Sequence, residues 1–178
     1  MMSLGFLSVA PISSADAQEP VLETYSAGQQ IGVEVVLSGD PVLTTENTLV
    51  AVPGATLSWT SRDSVLIEVD FSAECRLIGG AGPSAWVEVF ANIETDIPLD
   101  GFPKVLEPGA GVGTPMAFCS DDVWAMHSAS WATLVPKVTG PGGPATYTVQ
   151  LYWRANAAGD TAWLDDWKMS LRVSKKPD

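Results

Sequence analysis

The sequence predicts an all-β protein, a single β-sandwich of jelly-roll or other Greek-key topology with about eight to ten short strands. Apolar and polar residues alternate with a period of two in one segment after another, as in strands that bury one face. The 178 residues include 16 glycines and 13 prolines, which interrupt helices. Hydrophobic residues make up 46% of the chain, enough for a real core.

The first half of the chain carries four predicted strands. In the first, the apolar residues that share one parity are Ile31, Val33, Val35 and Leu37. Residues 55–60 alternate in the same way. The clearest strand is 64–75, where the apolar parity ends at Cys75 and the opposite parity carries acids. Residues 85–93 form the next strand, with its valines directed inward.

The second half begins with an irregular stretch, 94–121, whose closely spaced glycines and prolines predict a loop. Strand patterns resume near 126–135 and return strongly at 146–155. Turn residues at 157–160 then precede a final strand over 167–173. We predict that the last two strands pair as a C-terminal hairpin.

The two cysteines, Cys75 and Cys119, have neither a CxxC spacing nor the histidines of a zinc site, so a disulfide is their predicted use. Closing a loop of about 45 residues stabilises a fold by roughly 4 kcal/mol in the chain-entropy model. The bridge would tie the 94–121 loop to the 64–75 strand. Two buried free thiols are the alternative.

The N-terminus predicts export. Residues 4–12 form a short apolar run, and Ala15 and Ala17 supply the small residues that signal peptidase accepts. Residues 1–17 are therefore predicted as a signal peptide, although they lack the Lys or Arg with which a signal peptide normally begins. Residues 18–178 are predicted as the mature domain, in a secreted or periplasmic location. The alternative is a hydrophobic leader or strand. No later apolar stretch reaches the roughly 18 residues of a transmembrane helix.

The formal net charge is −12. Residues 1–103 hold 14 acidic residues against Arg62 and Arg76, and the only adjacent basic pair is Lys175-Lys176. Nucleic-acid binding requires clustered Lys and Arg. We therefore predict no nucleic-acid partner.

Three carboxylates share one strand face: Glu68, Asp70 and Glu74. The segment resembles the active-site strand of the jelly-roll glucanases, whose pattern is E-x-D-x-E or E-x-D-x-x-E. That resemblance implies a small glycoside-active enzyme in which these carboxylates supply the nucleophile and the acid/base. Here the third acid comes later than in either pattern. The alternative interpretation is a solvated acidic stripe on an outer strand face.

Aromatic residues also occur on otherwise polar strand faces. Trp86 and Phe90 alternate with the core residues of one strand, and Tyr152 does so in another. Such faces stack on the apolar C–H surfaces of sugars while neighbouring polar side chains bind hydroxyls. The three residues are thus predicted ligand-binding residues, with core packing under a loop as the alternative.

No spacing predicts a dedicated metal site or any other cofactor. Calcium, which prefers oxygen ligands, is the minor alternative, and the candidate pairs are Glu94 with Asp96, Asp121-Asp122 and Asp165-Asp166. His127 is the only histidine, so no imidazole cluster can hold zinc or copper. We expect it to be a hydrogen-bonded structural residue.

Three functional hypotheses follow. The first is a non-catalytic exported β-sandwich that binds a protein or a glycan through the surface around Trp86 and Phe90, or through the 94–121 loop. The second is the glycoside-active enzyme. The third is a structural subunit of a surface assembly. The predicted fold does not distinguish among these three classes of function.

Overall fold

The structure is a computed structural model that describes residues 21–27, 30–79, 85–106, 116–120, 122–139 and 143–175. The predicted signal peptide, 1–17, and Asp121 lie outside the described residues, as does the 107–115 part of the predicted loop. The strands are β1 (Val21–Ala27), β2 (Gln30–Ser38), β3 (Val42–Thr44), β4 (Val50–Ser61), β5 (Val65–Ile78), β6 (Val87–Thr95), β7 (Lys104–Val105), β8 (Met116–Cys119), β9 (Ala125–Val135), β10 (Ala145–Ala155) and β11 (Thr161–Lys175).

These strands form two antiparallel sheets. Sheet A has the order β1-β2-β11-β5-β9, with β3 also pairing β11, and sheet B has the order β4-β10-β6-β7, with β8 also pairing β6. From β3 onward the chain crosses between the sheets at every connection except β6 to β7 and β7 to β8. That crossing pattern is a jelly roll, so the predicted all-β sandwich is confirmed.

The core lies between the inner faces of the two sheets. Every second residue of β5 and β10 is buried, and the exposed fractions of Ile67, Val149 and Leu151 are all 0%. Full burial of one such side chain contributes about 1.5–3 kcal/mol. The largest fully buried side chains are Trp153, Trp167, Tyr147 and Phe71.

The predicted disulfide is present. Cys75 at the core parity of β5 is bonded to Cys119 at the end of β8, with Cα atoms 6.2 Å apart. Both residues are buried. The bridge therefore ties the returning end of the 94–121 stretch to β5 of sheet A. That stretch is not wholly irregular, since it also contributes β7 and β8 to the edge of sheet B.

The predicted inward face of β2 is wrong. Val36 is 4% exposed while Leu37 is 39% exposed, and β11 pairs its buried Met169 with Val36 and its buried Leu171 with Glu34. Residues directly opposite in a sheet share a face, so Glu34 and Val36 point into the sandwich. The apolar residues that face outward instead are Val33, Val35 and Leu37.

The predicted C-terminal hairpin is also wrong, because β10 and β11 belong to different sheets. At the end of β10, the N–H of Ala155 donates to the carbonyl of Glu46, and the N–H of Asn156 donates to the carbonyl of Trp86. These bonds hold the end of β10 within sheet B. The chain then crosses over, and β11 inserts between β2 and β5.

A bulge interrupts β11 at Asp165 and Asp166. Asp165 pairs with Glu74 and Lys168 with Ser72, so β11 has one extra residue across this interval. Asp166 adopts φ 43°, the left-handed region that Asp tolerates better than most residues. The extra residue changes the parity of the strand, which keeps both ends of β11 packed in the core.

Candidate functional site

The predicted aromatic residues share the outer face of sheet B. Trp86 immediately precedes β6, Phe90 lies within it, and Tyr152 lies on β10. All three are partly exposed on the face opposite the core, rather than buried between the sheets. We call this surface the β6–β10 face and define it by Trp86, Glu88, Phe90, Tyr152 and Arg154.

Phe90 and Tyr152 form the aromatic centre of the β6–β10 face. They are direct cross-strand partners, and their ring centroids lie 6.2 Å apart at an interplanar angle of 70°. This edge-to-face geometry is favourable for aromatic pairs. The register between β6 and β10 thus brings together two residues separated by 62 positions, 152 minus 90.

Trp86 is held beside this pair by a polar network. Its indole Nε1 donates to Glu88 Oε1 at 2.9 Å, and Arg154 Nε donates to Glu88 Oε2. The N–H of Trp86 donates to Asn156 Oδ1 at 2.7 Å. Glu88 is only 8% exposed, so its charge is compensated within the sheet and the indole has a fixed orientation.

Hydroxyl and amide groups continue this surface toward β4. Gln150 Nε2 donates to the carbonyl oxygens of Val52 and Ala55 at 3.3 and 3.1 Å. The hydroxyls of Ser58 and Thr148 are hydrogen-bonded at 2.9 Å. The surface therefore combines half-exposed aromatic rings with ordered polar groups.

The carboxylates of the enzyme hypothesis lie on the other sheet. Glu68 Oε2 lies 3.5 Å from Arg172 Nη1, with the Glu68 side chain 40% exposed, and Asp70 accepts a hydrogen bond from Ser130 Oγ at 2.7 Å. Glu74 lies six residues beyond Glu68, which is about 20 Å along a strand. A retaining pair requires carboxyl groups about 5 Å apart, so this arrangement gives the Glu68–Glu74 pairing no support.

The acidic pairs proposed for calcium are distributed over separate regions. Asp165 and Asp166 form the β11 bulge, where the Asp166 N–H donates to Asp165 Oδ1 at 2.8 Å. The carbonyl of Asp122 accepts a hydrogen bond from Arg76 Nε at 2.5 Å. Within the described residues, no three His, Cys, Asp or Glu side chains are grouped to hold a metal ion.

His127 lies on β9 opposite the buried Ala73. Its ring centroid is 5.6 Å from that of Phe118. Its buried Nε2 has no hydrogen-bond partner in the described part of the chain. The ring thus contributes packing against an aromatic neighbour near the disulfide.

Sequence reasoning missed a cavity formed by residues 94–103. Its volume is about 650 Å³, and its walls include Glu94, Asp96 and Asp100 together with Phe102. The sequence predicted this segment as part of the 94–121 loop, an alternative binding surface, and named Glu94 with Asp96 as a candidate calcium pair, but it did not predict a pocket. No local pattern indicates that these residues border an open pocket, because the pocket depends on how the segment folds.

A second aromatic cluster was also missed, on the outer face of sheet A. Trp124 and Trp163 are in edge contact with centroids 6.4 Å apart, and Trp163 lies opposite Arg76. Exposed apolar side chains surround them: Leu43, Ile78, Val123 and Met126. The alternation within each strand predicts that these side chains are exposed. Only the order of the strands in the sheet shows that they lie together.

No protein-family model matches the chain, and no curated protein sequence matches it. In the part of the chain that the structure describes, no helix is long and apolar enough to cross a membrane.

Proposed function

We propose that the protein is a non-catalytic glycan-binding module that uses the β6–β10 face. The observation that supports this proposal is the pairing of Phe90 with Tyr152, partly exposed and in edge contact at 6.2 Å, beside the fixed indole of Trp86. Aromatic rings with an ordered polar border suit a ligand that has apolar C–H faces and hydroxyl groups.

The face is already organised before a ligand binds. The ion pair of Arg154 with Glu88 and the hydrogen bond from Trp86 to Glu88 fix side chains that a ligand would otherwise have to order. Ordering one flexible interface side chain costs about 0.5–1.5 kcal/mol. A preformed surface therefore gains affinity by avoiding that cost.

We also propose that the protein acts in a secreted or periplasmic location. The disulfide between Cys75 and Cys119 supports this proposal, because such bonds persist mainly in oxidising compartments. The small residues Ala15 and Ala17 also support an exported location, because signal peptidase accepts small residues at these positions. Fusion of residues 1–17 to a reporter that folds only after export would test it, with Ala17→Asp as the matched cleavage variant.

A glycan-array screen of residues 18–178, with and without calcium, tests the binding function. The best ligand would then be titrated against Tyr152→Ala, Phe90→Ala and the control Trp124→Ala, which removes an aromatic from the other sheet. We expect the first two substitutions to weaken binding about tenfold or more, which corresponds to about 1.4 kcal/mol. Trp124→Ala should leave binding within about twofold.

Two results would contradict the proposal. Either no glycan binds the folded protein, or the Tyr152 and Phe90 variants bind as well as the unchanged protein. In the second case, loss of binding in Trp124→Ala would indicate that the glycan binds on sheet A instead. Circular dichroism of each variant separates lost binding from lost folding.

A structural or protein-binding role is the second candidate. It is favoured by the exposed apolar cluster of sheet A, where Leu43 is 55% and Met126 61% exposed, since such patches mark interaction surfaces when they are contiguous. Sedimentation of the protein at increasing concentration tests for self-association. A monomer whose sedimentation is unchanged by Leu43→Ser/Met126→Ser would exclude assembly through this cluster.

A further inference from the structure

Strand β9 forms one edge of sheet A and has β5 as its neighbour. All 11 of its residues pair with β5 without a register shift, and no strand of the described residues pairs with its other side. In an antiparallel strand, every second residue directs its N–H and C=O groups away from a given neighbour. A regular row of main-chain donors and acceptors therefore lies along this edge.

The sequence of β9 lacks the features that protect sheet edges from other chains. Charged side chains, prolines and bulges usually provide that protection. The edge strand β4 of sheet B contains Pro53, and its pairing with β10 has a register shift. By contrast, β9 contains no proline, and no Asp, Glu, Lys or Arg occurs from Val123 to Pro136. The β9 edge is thus suited to pairing with another polypeptide strand.

The sequence of β9 is complementary to itself in one antiparallel register. Overlap of all 11 residues centres the pairing on Ser130, so Met126 of one copy lies opposite Leu134 of the other. These two large apolar side chains are 61% and 44% exposed in the single chain. Directly opposed side chains pack against each other in a sheet, and two-fold symmetry repeats the contact. The register therefore covers exposed apolar surface at two places.

The same register is complementary in charge. Asp122 precedes β9 and Lys137 follows it, so the two residues lie near opposite ends of the strand. Antiparallel pairing brings Asp122 of each copy to the end at which Lys137 of the other copy lies. Within the described residues, neither side chain forms an ion pair in the single chain. Opposite charges at both ends favour this orientation, whereas parallel pairing would bring like charges together.

We propose that the protein forms a two-fold symmetric dimer in which the β9 strands of two copies pair antiparallel about Ser130. The pairing would extend sheet A from one copy into the other through main-chain hydrogen bonds. This inference goes beyond the glycan-binding function and does not depend on it, because the β6–β10 face belongs to sheet B.

Sedimentation velocity of the purified protein over about 1–100 μM tests the dimer. Ser130→Lys places two lysines opposite each other at the symmetry axis, where like charges are destabilising, and should weaken dimerisation at least about tenfold. The matched control is Ser170→Lys. Ser130 and Ser170 are the two cross-strand partners of Asp70, so each new lysine has the same acidic neighbour. Because Ser170 lies on β11 inside sheet A, its substitution should change dimerisation less than about twofold.

Charge exchange tests the register. Asp122→Lys and Lys137→Glu each place like charges at both ends of the paired strands, and each should weaken dimerisation about threefold or more. The double variant Asp122→Lys/Lys137→Glu restores opposite charges and should recover dimerisation to within about twofold of the unchanged protein. A role within one copy would not produce this recovery, because the length of β9 separates the two residues in the same chain.

A protein that remains monomeric up to about 100 μM would overturn the proposal. So would equal effects of Ser130→Lys and Ser170→Lys, or a double charge variant that dimerises no better than the single variants. If Ser130→Lys does not fold, as judged by circular dichroism, the charge variants still decide the outcome.

Leu43→Ser separates this dimer from assembly through the exposed apolar cluster of sheet A, because Leu43 lies on β3. It should leave dimerisation unchanged, and a dimer lost in Leu43→Ser but retained in Ser130→Lys would place the interface on that cluster instead. Ser130→Lys should bind glycan as the unchanged protein does, so the dimer and the glycan-binding proposal can fail separately.

Discussion

The carboxylate of Glu34 accepts a hydrogen bond from the backbone N–H of Ser58, and this contact joins β2 of sheet A to β4 of sheet B. Because β4 is an edge strand of sheet B, its open side has no neighbouring strand to pair with. The Glu34 carboxylate therefore accepts a hydrogen bond from a backbone N–H that would otherwise be unpaired. The contact occurs only because β2 directs Glu34 into the sandwich.

Glu34→Gln should make the protein more stable at pH 7. Burial raises the pKa of Glu34 above 4.5, an effect larger than the opposing effect of the Ser58 hydrogen bond. Between 4.5 and the raised pKa the folded state binds more protons than the unfolded state, so the free energy of unfolding falls as the pH rises through that window. Glutamine keeps an acceptor and avoids this loss.

Urea denaturation from pH 3 to 8 measures the Glu34 effect. The advantage of Glu34→Gln should disappear at low pH, where both forms are uncharged. Glu94→Gln, at an exposed position on β6, is the control and should not reproduce the pH dependence. An advantage of Glu34→Gln that is the same at pH 3 and pH 7 would contradict the interpretation.

Removal of the disulfide should destabilise the fold strongly. Cys75 and Cys119 are separated by 44 residues, so the chain-entropy model gives a loss of about 4 kcal/mol for the Cys75→Ala/Cys119→Ala variant. Chemical denaturation, compared with that of the unchanged protein with and without reductant, measures the loss. Reductant should have no effect on the double variant, and a loss below about 1 kcal/mol would show that the bridge is dispensable.

Arg154→Met should cost about 2–3 kcal/mol of stability. The Glu88 side chain is only 11% exposed in the ion pair, and the substitution leaves its carboxylate buried with one charged partner fewer. Adding Glu88→Gln should recover much of the loss, because the amide still accepts from Trp86 Nε1 without a charge. Thermal and urea unfolding of the single and double variants measure this coupling.

The matched control for Arg154→Met is Arg172→Met. Arg172 and Glu68 form an ion pair at 3.5 Å with side chains 49% and 40% exposed, and such surface pairs contribute about 0–1 kcal/mol. Equal costs for the two arginine substitutions would show that burial of Glu88 does not determine the strength of its pair.

The β11 bulge predicts a specific backbone requirement at Asp166. At φ 43°, Asp166→Val should cost about 1–2 kcal/mol because a branched side chain is strained in the left-handed region. Asp166→Gly should be neutral or stabilising by up to about 1 kcal/mol. Denaturant midpoints measure both, with Lys168→Val as an exposed strand control. A Val variant as stable as the Gly variant would argue against the bulge geometry.

Much of the candidate site was predictable because its signals are local. The alternation around Phe90 and around Tyr152 predicted that both rings lie on otherwise polar faces, and the structure confirms that placement. Their contact was not predictable, since it depends on the register of β6 with β10. The 94–103 cavity was not predictable either, because no local pattern specifies where a loop leaves space.

The errors have the same origin. The apolar parity of β2 predicted that Leu37 faces inward, but pairing with β11 places Val36 and Glu34 there. The short turn before β11 predicted a hairpin, but β11 pairs more extensively between β2 and β5. In both cases a strand's neighbours, remote in sequence, outweigh its local preference.

The sequence by itself determined the all-β class and the alternating faces of β5, β6 and β10, and it predicted the disulfide between Cys75 and Cys119 with two free thiols as the alternative. These follow from periodicity and side-chain chemistry, which act over a few residues. Only the tertiary structure decided the strand order, the inward Glu34, the partner of Phe90 and the acidic pocket of residues 94–103. Each depends on contacts between distant segments, and burial in a shared core selects among the pairings that local alternation leaves equivalent.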